Sequence, residues 1–229
     1  MIKNVKMNVH IDYHQPMKPH HKVVARLVNR YSHRKPYVID IGCGVGHTLK
    51  LIKELLPSAI LVAADTDASC LRITEKRVKL EQKILIKNIE ELFEKENFFD
   101  TVIMSHVLEH MLRPVDIVIS LMRMLKPGGI LVLAVPNPVR PRVFLSALMK
   151  RHYVNRGHVC AWDRSHWINF LENILSLDVI CYSQDFVELP FLRKFHIFSR
   201  LEEWLSKILP WLSFSNIAVV KKQEDESYQ

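Results

Sequence analysis

The residues best placed to do chemistry in this 229-residue chain follow short apolar runs. The first group is Asp40-Ile41-Gly42-Cys43-Gly44-Val45-Gly46. Glycines at the end of an apolar run let a ligand approach the backbone where a Cβ would clash. A helix starting near His47 would aim its free N–H groups at that ligand. The spacing G-x-G-x-G, with an acid two residues earlier, departs from dinucleotide turns and from phosphate-cradling loops. An acid there repels a pyrophosphate and attracts an ammonium group. The second group is Asp65, about 20 residues further on, where an acid can hold both hydroxyls of a ribose. Asp65 can also be read as a helix N-cap, a role open to Asp67 instead. Asn88 offers an amide to an adenine edge, and Ser105-His106-Val107-Leu108-Glu109-His110 and Pro136-Asn137-Pro138 follow later runs. A nucleoside that carries a cation and no phosphates fits them all.

The elements that must position these groups can be read from the same runs. Strand-like stretches at Tyr37–Ile41, Ile60–Ala64, Ile84–Lys87, Phe99–Met104 and Ile130–Val135 alternate with helical ones, including Ala68–Arg77 and Pro114–Leu125. Lys126-Pro127-Gly128-Gly129 reads as a helix stop. Continuous apolar strands separated by helices imply a parallel sheet covered on both faces, a Rossmann-like doubly wound α/β fold. Ligands of such sheets bind at the carboxyl ends of the strands. Beyond residue 136 the expectation is a helix at Ser165–Leu175, a strand at Leu177–Tyr182, an amphipathic stretch at Leu192–Leu209 and a strand at Asn216–Val220. Core packing is the ordinary reading of the amphipathic stretch; a lid over a greasy substrate or peripheral membrane contact is the functional one. The reading is a single domain over 1–222, with a basic, helical extension at 1–35, a core at 36–137, acceptor-side insertions at 138–222 and an acidic tail at 223–229.

Composition bounds the function further. A hydrophobic content of 48% and a charged content of 24% exclude a disordered or collagen-like chain. The four cysteines form no CxxC pair and the first residues hold no apolar leader, so the expectation is a cytoplasmic protein with reduced thiols. The net charge of +8 is uneven: residues 1–36 carry eight Lys and Arg against Asp12, and residues 138–166 carry six against Asp163. Solvated surface and an anionic partner both explain that.

The runs VIDIGCGVG, FDTVIMSHVLEHM and LKPGGILVLAVPN, with the acid at Asp65, together resemble the class I S-adenosylmethionine-dependent methyltransferases over residues 36–137. The resemblance implies a seven-stranded sheet with its last strand antiparallel. It places Asp40, Gly42 and Gly44 along the methionine part of S-adenosylmethionine, Asp65 at the ribose, Asn88 and Ile89 at the adenine, and Ser105 and His106 beside the sulfonium, with Cys43, Gly46 and Thr66 also among the cofactor-binding residues. The family more often has Asp where Asn88 stands. If the acceptor is a hydroxyl, His106 and then His158 are the candidate bases, while Glu109–His110 reads as structural. Two branches of the family, the ubiquinone-pathway O-methyltransferases and the small-RNA 2′-O-methyltransferases, bind a divalent metal through Glu-x-x-Glu-His and a later histidine. Here those places read His106-x-x-Glu109-His110 with His158, a donor set that suits Zn²⁺ or Fe²⁺ although the first Glu is replaced. The leading expectation is O-methylation of a small-molecule or lipid-like acceptor. Nucleic-acid methylation is the second, opposed by the lack of an Asp/Asn-Pro-Pro-aromatic motif and of a Pro-Cys pair. A non-catalytic cofactor-binding scaffold is the third.

Overall fold

The computed structural model describes residues 16–87, 89–92, 94–149, 157–188 and 199–224. Seven strands form one sheet: β1 (Tyr37–Ile41), β2 (Ile60–Asp65), β3 (Gln82–Leu85), β4 (Phe99–Ser105), β5 (Leu125–Pro136), β6 (Val179–Gln184) and β7 (Ser215–Lys221). The spatial order is β3-β2-β1-β4-β5-β7-β6, and β7 runs antiparallel to both its neighbours. This is the Rossmann-like arrangement expected, including the reversed last strand. The register pairs Asp40 with Ala63 and Ile103, Asp65 with Leu85, and Ser105 with Ala134. The ends of β1, β2, β4 and β5 therefore share one edge.

Alternation along each strand divides the core into two layers, because successive side chains point to opposite faces. Val38, Leu61, Ala63, Ile103 and Val132 pack with Val24 and Val28 of α1 (Pro19–Tyr31), Leu49 and Ile52 of α2 (His47–Leu55), and Leu71 of α3 (Ala68–Arg77). Ile39, Ile41, Val102, Met104 and Leu131 pack on the other face with Val118 and Leu121 of α4 (Pro114–Met124) and Trp167 of α6 (Arg164–Ile168). Helix α1 opens with Pro19, whose ring pre-sets the helical φ and whose missing N–H costs nothing at that position. Asp67, not Asp65, caps α3, accepting the Ser69 N–H at 2.6 Å.

Several sequence expectations shift. Strand β3 sits two residues earlier than Ile84–Lys87, since at the sheet edge the exposed Gln82 and Lys83 pair by backbone alone. Lys126–Gly129 ends α4 but also continues into β5: the left-handed Gly128 (φ +74°) donates to the Lys222 carbonyl, and Lys222 N–H returns to Gly129. The helix expected at Ser165–Leu175 is α6 followed by a wider helical turn, Asn169–Ile174, with Asp163 as N-cap. The described residues of 138–222 also form helices α5 (Pro141–Leu148) and α7 (Ser199–Ile208), and a short 3₁₀ turn at Pro210–Leu212.

The amphipathic stretch Leu192–Leu209 lies partly outside the described residues. In its described part, α7 turns Glu202 and Ser206 inward and leaves Leu201, Trp204 and Ile208 exposed. The inward contacts of α7 are polar, with Val187 N–H donating to the Glu202 carbonyl and Ser206 Oγ donating to the Asp185 carbonyl; Leu192, Phe195 and Phe198 lie outside the described residues. Among the described residues no helix is long and apolar enough to cross a membrane, and all four cysteines are free thiols.

Trp167 anchors the outer layer, fully buried against Trp162 and Phe170. Trp167→Ala should cost about 3–5 kcal/mol in urea unfolding. A loss under about 1 kcal/mol would show that α6 is not part of the cooperative core.

Candidate active site

The glycine turn is held open by its neighbours. Gly42, Gly44 and Gly46 all have left-handed φ (+74°, +52° and +78°). A Cβ on Gly42 would lie 2.3 Å from Val107 Cγ2, and one on Gly46 2.5 Å from Thr74 Cγ2. A Cβ on Gly44 would meet nothing within 4 Å, so this glycine faces open space. Gly42 and Cys43 donate N–H bonds to the Ala64 carbonyl, and Gly44 N–H donates to Asp65 Oδ2 at 2.8 Å. The other Asp65 oxygen accepts the Asp67 N–H at 2.9 Å. Asp65 therefore joins the turn to the end of β2, and both its oxygens keep lone pairs for a ligand hydroxyl.

Asp40 is buried directly behind the turn. Burial, and then the neighbouring Asp65, push its carboxyl up to about 7. Cys43 is also buried, and burial with the two acids raises its thiol, which makes it an inert wall of the turn and not a nucleophile. Thr66 is exposed beside Asp65, and Ile89 is buried at the start of a short 3₁₀ turn, Ile89–Leu92. Asn88 lies outside the described residues. Ser105 ends β4 with its Oγ buried and without a hydrogen-bond partner.

His106 follows β4 in a left-handed conformation (φ +57°), an uncommon one for a non-glycine residue. Its ring lies 4.3 Å from His20 and 5.9 Å from Phe214, centroid to centroid. The first residues of α1 thus reach the site: His20 packs on His21 at 4.1 Å, and His21 lies 5.3 Å from His47 of α2. Burial is the main cause that drives His106 and His21 down to about 3 and His20 well below the usual imidazole range, so all three stay neutral. Sequence reasoning missed His20 and His21, counting them within a basic extension. The Pro-His-His run was the available signal, because Pro favours the first turn of a helix.

A second cluster sits behind His106. Glu109 is buried, with Oε1 at 3.8 Å from His106 Nδ1, 3.9 Å from His110 Nε2 and 3.8 Å from His158 Nε2. Its Oε2 is buried with no hydrogen-bond partner, and burial raises the carboxyl to about 8. One ligand atom each from Glu109, His110 and His158 lies within 4.8 Å of the others. The loop of His158 is tied down because Val159 and Cys160 donate N–H bonds to the Glu109 carbonyl. His110 Nδ1 donates to the Gly157 carbonyl at 2.8 Å, leaving the Nε2 lone pair toward Glu109. That tautomer, locked by an outer carbonyl, is what a metal-ligating histidine needs, and the donor set fits a divalent cation. Of the four donors expected from sequence, the structure gathers three; His106 instead turns its Nε2 to Ser215. Glu109–His110, read as structural from sequence, lies at the centre of this polar cluster.

In the described part of the basic segment 138–166, two arginines are engaged by neighbouring side chains. The Arg140 guanidinium lies over the Phe214 ring at 4.3 Å, and Arg142 pairs with the buried Glu188 at 3.1 Å.

Residues 14–174 match a protein family described as "Methyltransferase domain". Over 124 residues the chain is 31% identical to the ubiquinone biosynthesis O-methyltransferase of Roseobacter denitrificans, covering 52% of this chain and 48% of that protein. Over 110 residues it is 26% identical to the malonyl-[acyl-carrier protein] O-methyltransferase of Priestia megaterium, covering 48% and 40%. The chain thus spans about half the length, or less, of these curated relatives. Its fold is shared with a SAM dependent methyltransferase from Archaeoglobus fulgidus (TM-score 0.60, 19% identity, 88% of this chain and 94% of that one). It is shared equally with the magnesium protoporphyrin IX methyltransferase of Synechocystis, solved with bound SAH (TM-score 0.60, 15% identity, 90% and 84%). The glycine turn, its two acids and the sheet order agree with these likenesses: the chain belongs to the class I S-adenosylmethionine-dependent methyltransferases.

The cradle fits that cofactor, with open space at Gly44 between two buried carboxylates and no cation in the turn. Two alanine substitutions separate folding from binding. Gly44→Ala should fold with a loss of about 1–2 kcal/mol from left-handed strain but bind S-adenosylmethionine at least tenfold more weakly. Gly42→Ala should lose stability more heavily through the clash with Val107. Unchanged affinity in folded Gly44→Ala would remove the turn from the binding site.

Proposed function

We propose that this protein transfers the methyl group of S-adenosylmethionine to an oxygen of a small-molecule or lipid-like acceptor. The observation that carries the reading is the neutral imidazole of His106 at the end of β4, one residue beyond Ser105 and across Val107 from the glycine turn. The cofactor supplies a methyl group on a sulfonium that is already a good leaving group. Asp40 and the turn hold its cationic end, and Asp65 holds the ribose. The protein then mainly aligns the two reactants, which can supply about 7–11 kcal/mol. His106 orients the acceptor hydroxyl and takes its proton as the new C–O bond makes that proton acidic, so a weak base suffices. The O-methyltransferase relatives support oxygen as the acceptor atom. Exposed Phe144 and Leu148 on α5 and Met149 just after it, with Trp204 on α7, support a lipid-like one.

Labelled S-adenosylmethionine offered with hydroxylated small molecules, lipid extract and RNA should label the small or lipid fraction, through an ether or ester oxygen. Label confined to RNA would overturn the reading in favour of nucleic-acid methylation. The engagement of Arg140 and Arg142 by neighbouring side chains speaks against that outcome.

Asp40 gives the binding step a pH signature. Below about 7 the free protein holds Asp40 protonated, whereas a bound cation favours the carboxylate, so binding expels a proton. Affinity for S-adenosylmethionine should therefore rise between pH 6 and pH 7.5, by up to about tenfold per unit on the acid side. Asp40→Asn should abolish the dependence. A flat profile in the wild type would show that Asp40 does not face the cationic end.

Glu109, His110 and His158 would hold a divalent cation, which would supply a positive centre for an acceptor oxygen. Untagged protein purified without chelator should contain about one equivalent of Zn²⁺ or Fe²⁺, lost in Glu109→Gln. Substoichiometric metal with unchanged methyl transfer would exclude it.

A further inference from the structure

His106 does not stand alone: its ring continues into a chain of hydrogen bonds that crosses from β4 to β7. His106 Nε2 lies 2.9 Å from Ser215 Oγ, and Ser215 Oγ lies 2.8 Å from Asp185 Oδ2. Asp185 is buried just after β6, and its second oxygen accepts the backbone N–H groups of Phe186 (2.8 Å) and Ser215 (2.9 Å). Burial raises its carboxyl to about 6, so at neutral pH and above it is an acceptor only. Ser215 has a single hydroxyl hydrogen, and the carboxylate takes it. What Ser215 Oγ then offers to His106 is a lone pair, so His106 Nε2 must carry the proton. The ring is left with its lone pair on Nδ1, the nitrogen on the side of Glu109.

We infer that Asp185 and Ser215 are positioning residues that fix the tautomer and orientation of His106, leaving Nδ1, the nitrogen on the side of Glu109, free of its proton. This deepens the proposed hydroxyl methylation and rests on it for the use made of Nδ1; the tautomer itself rests only on the hydrogen-bond chain. The buttressing agrees with a built device. Ser206 Oγ donates to the Asp185 carbonyl, Phe214 N–H to the Phe186 carbonyl, and Asn137 Nδ2 to the carbonyls of Trp211 and Ser213. The loop after β5 and the entry to β7 are thereby locked around Phe214, which shares the His106 ring face with His20.

Exchanging the carboxylate for an amide inverts the chain. In Asp185→Asn the carbonyl oxygen can keep the two backbone donors, which turns the amide NH₂ toward Ser215. Ser215 must then accept from Asn and donate to His106 Nε2, leaving the proton on Nδ1. A catalytic imidazole held in the wrong tautomer loses most of its rate.

The test reads the tautomer directly by ¹⁵N NMR of histidine-labelled protein at pH 8, with His106→Gln to assign the signal. The wild type should show protonated Nε2 at His106, Asp185→Asn should show protonated Nδ1, and Ser215→Ala a mixture. Ser215→Thr, which keeps the hydroxyl, should restore the wild-type spectrum and covers the case in which Ser215→Ala fails to fold. Protonated Nδ1 in the wild type, or an Asp185→Asn spectrum identical to it, overturns the inference. Kinetics separate the two layers: Asp185→Asn should lower kcat at least tenfold with KM for S-adenosylmethionine unchanged. A tautomer that inverts while kcat stays constant supports the hydrogen-bond chain and removes His106 from the proton path.

Discussion

The hydrogen bond from Gly44 N–H to the Asp65 carboxylate joins the glycine turn to the end of β2. It spans the gap between the turn after β1 and the end of β2, so the parallel register of two strands becomes the geometry of a binding site. Three successive left-handed glycines would otherwise be the most mobile stretch of backbone in the fold. Here the carboxylate and the Ala64 carbonyl hold the turn from the β2 side, and the methyl of Thr74 and the side chain of Val107 pack against it. The same carboxylate accepts the Asp67 N–H through its other oxygen, so one side chain orders both the turn and the start of α3.

Electrostatics then divides the site into two zones of opposite need. Around the turn, Asp40 and Asp65 are buried close together, and burial, then the neighbouring Asp65, lets Asp40 hold its proton up to about 7. That arrangement costs stability in the free protein and favours a ligand that brings positive charge. Beyond β4 the reverse holds: buried His20 packs between half-buried His21 and His106, and burial, the main cause in each, lowers all three so that they stay neutral. Phe214 stacks on Phe186 and His20 beside them, with the Arg140 guanidinium over its ring.

Much of the first zone was legible in the sequence, because it depends on local signals. Glycine after an apolar strand, an acid at the tip of the next, and helix starts at Ala68 and Pro114 each follow from the chemistry of one or two residues. The second zone was not. His20, Asp185 and Ser215 come from an N-terminal helix, a loop after β6 and the start of β7, and no periodicity links them. They meet only because β7 inserts antiparallel beside β5 and brings Ser215 against the end of β4. The α7 stretch shows the complementary failure: its helical period was read correctly, but period alone does not say which face is turned inward. There Glu202 and Ser206 make the inward contacts with residues 185–187, and the apolar stripe is left outside. Edge strand β3 slipped for a related reason, since pairing by backbone alone leaves no apolar signature in Gln82 and Lys83.

The account as a whole stands on the cradle of Gly44, Asp40 and Asp65 accepting a cationic nucleoside. Titration calorimetry of the folded wild-type protein with S-adenosylmethionine tests it most directly. One equivalent should bind and be displaced by S-adenosylhomocysteine, and Asp65→Ala should lose most of the affinity while its unfolding midpoint moves little. A folded wild-type protein that takes up no S-adenosylmethionine, or an Asp65→Ala variant that binds it as tightly as the wild type, would contradict the account.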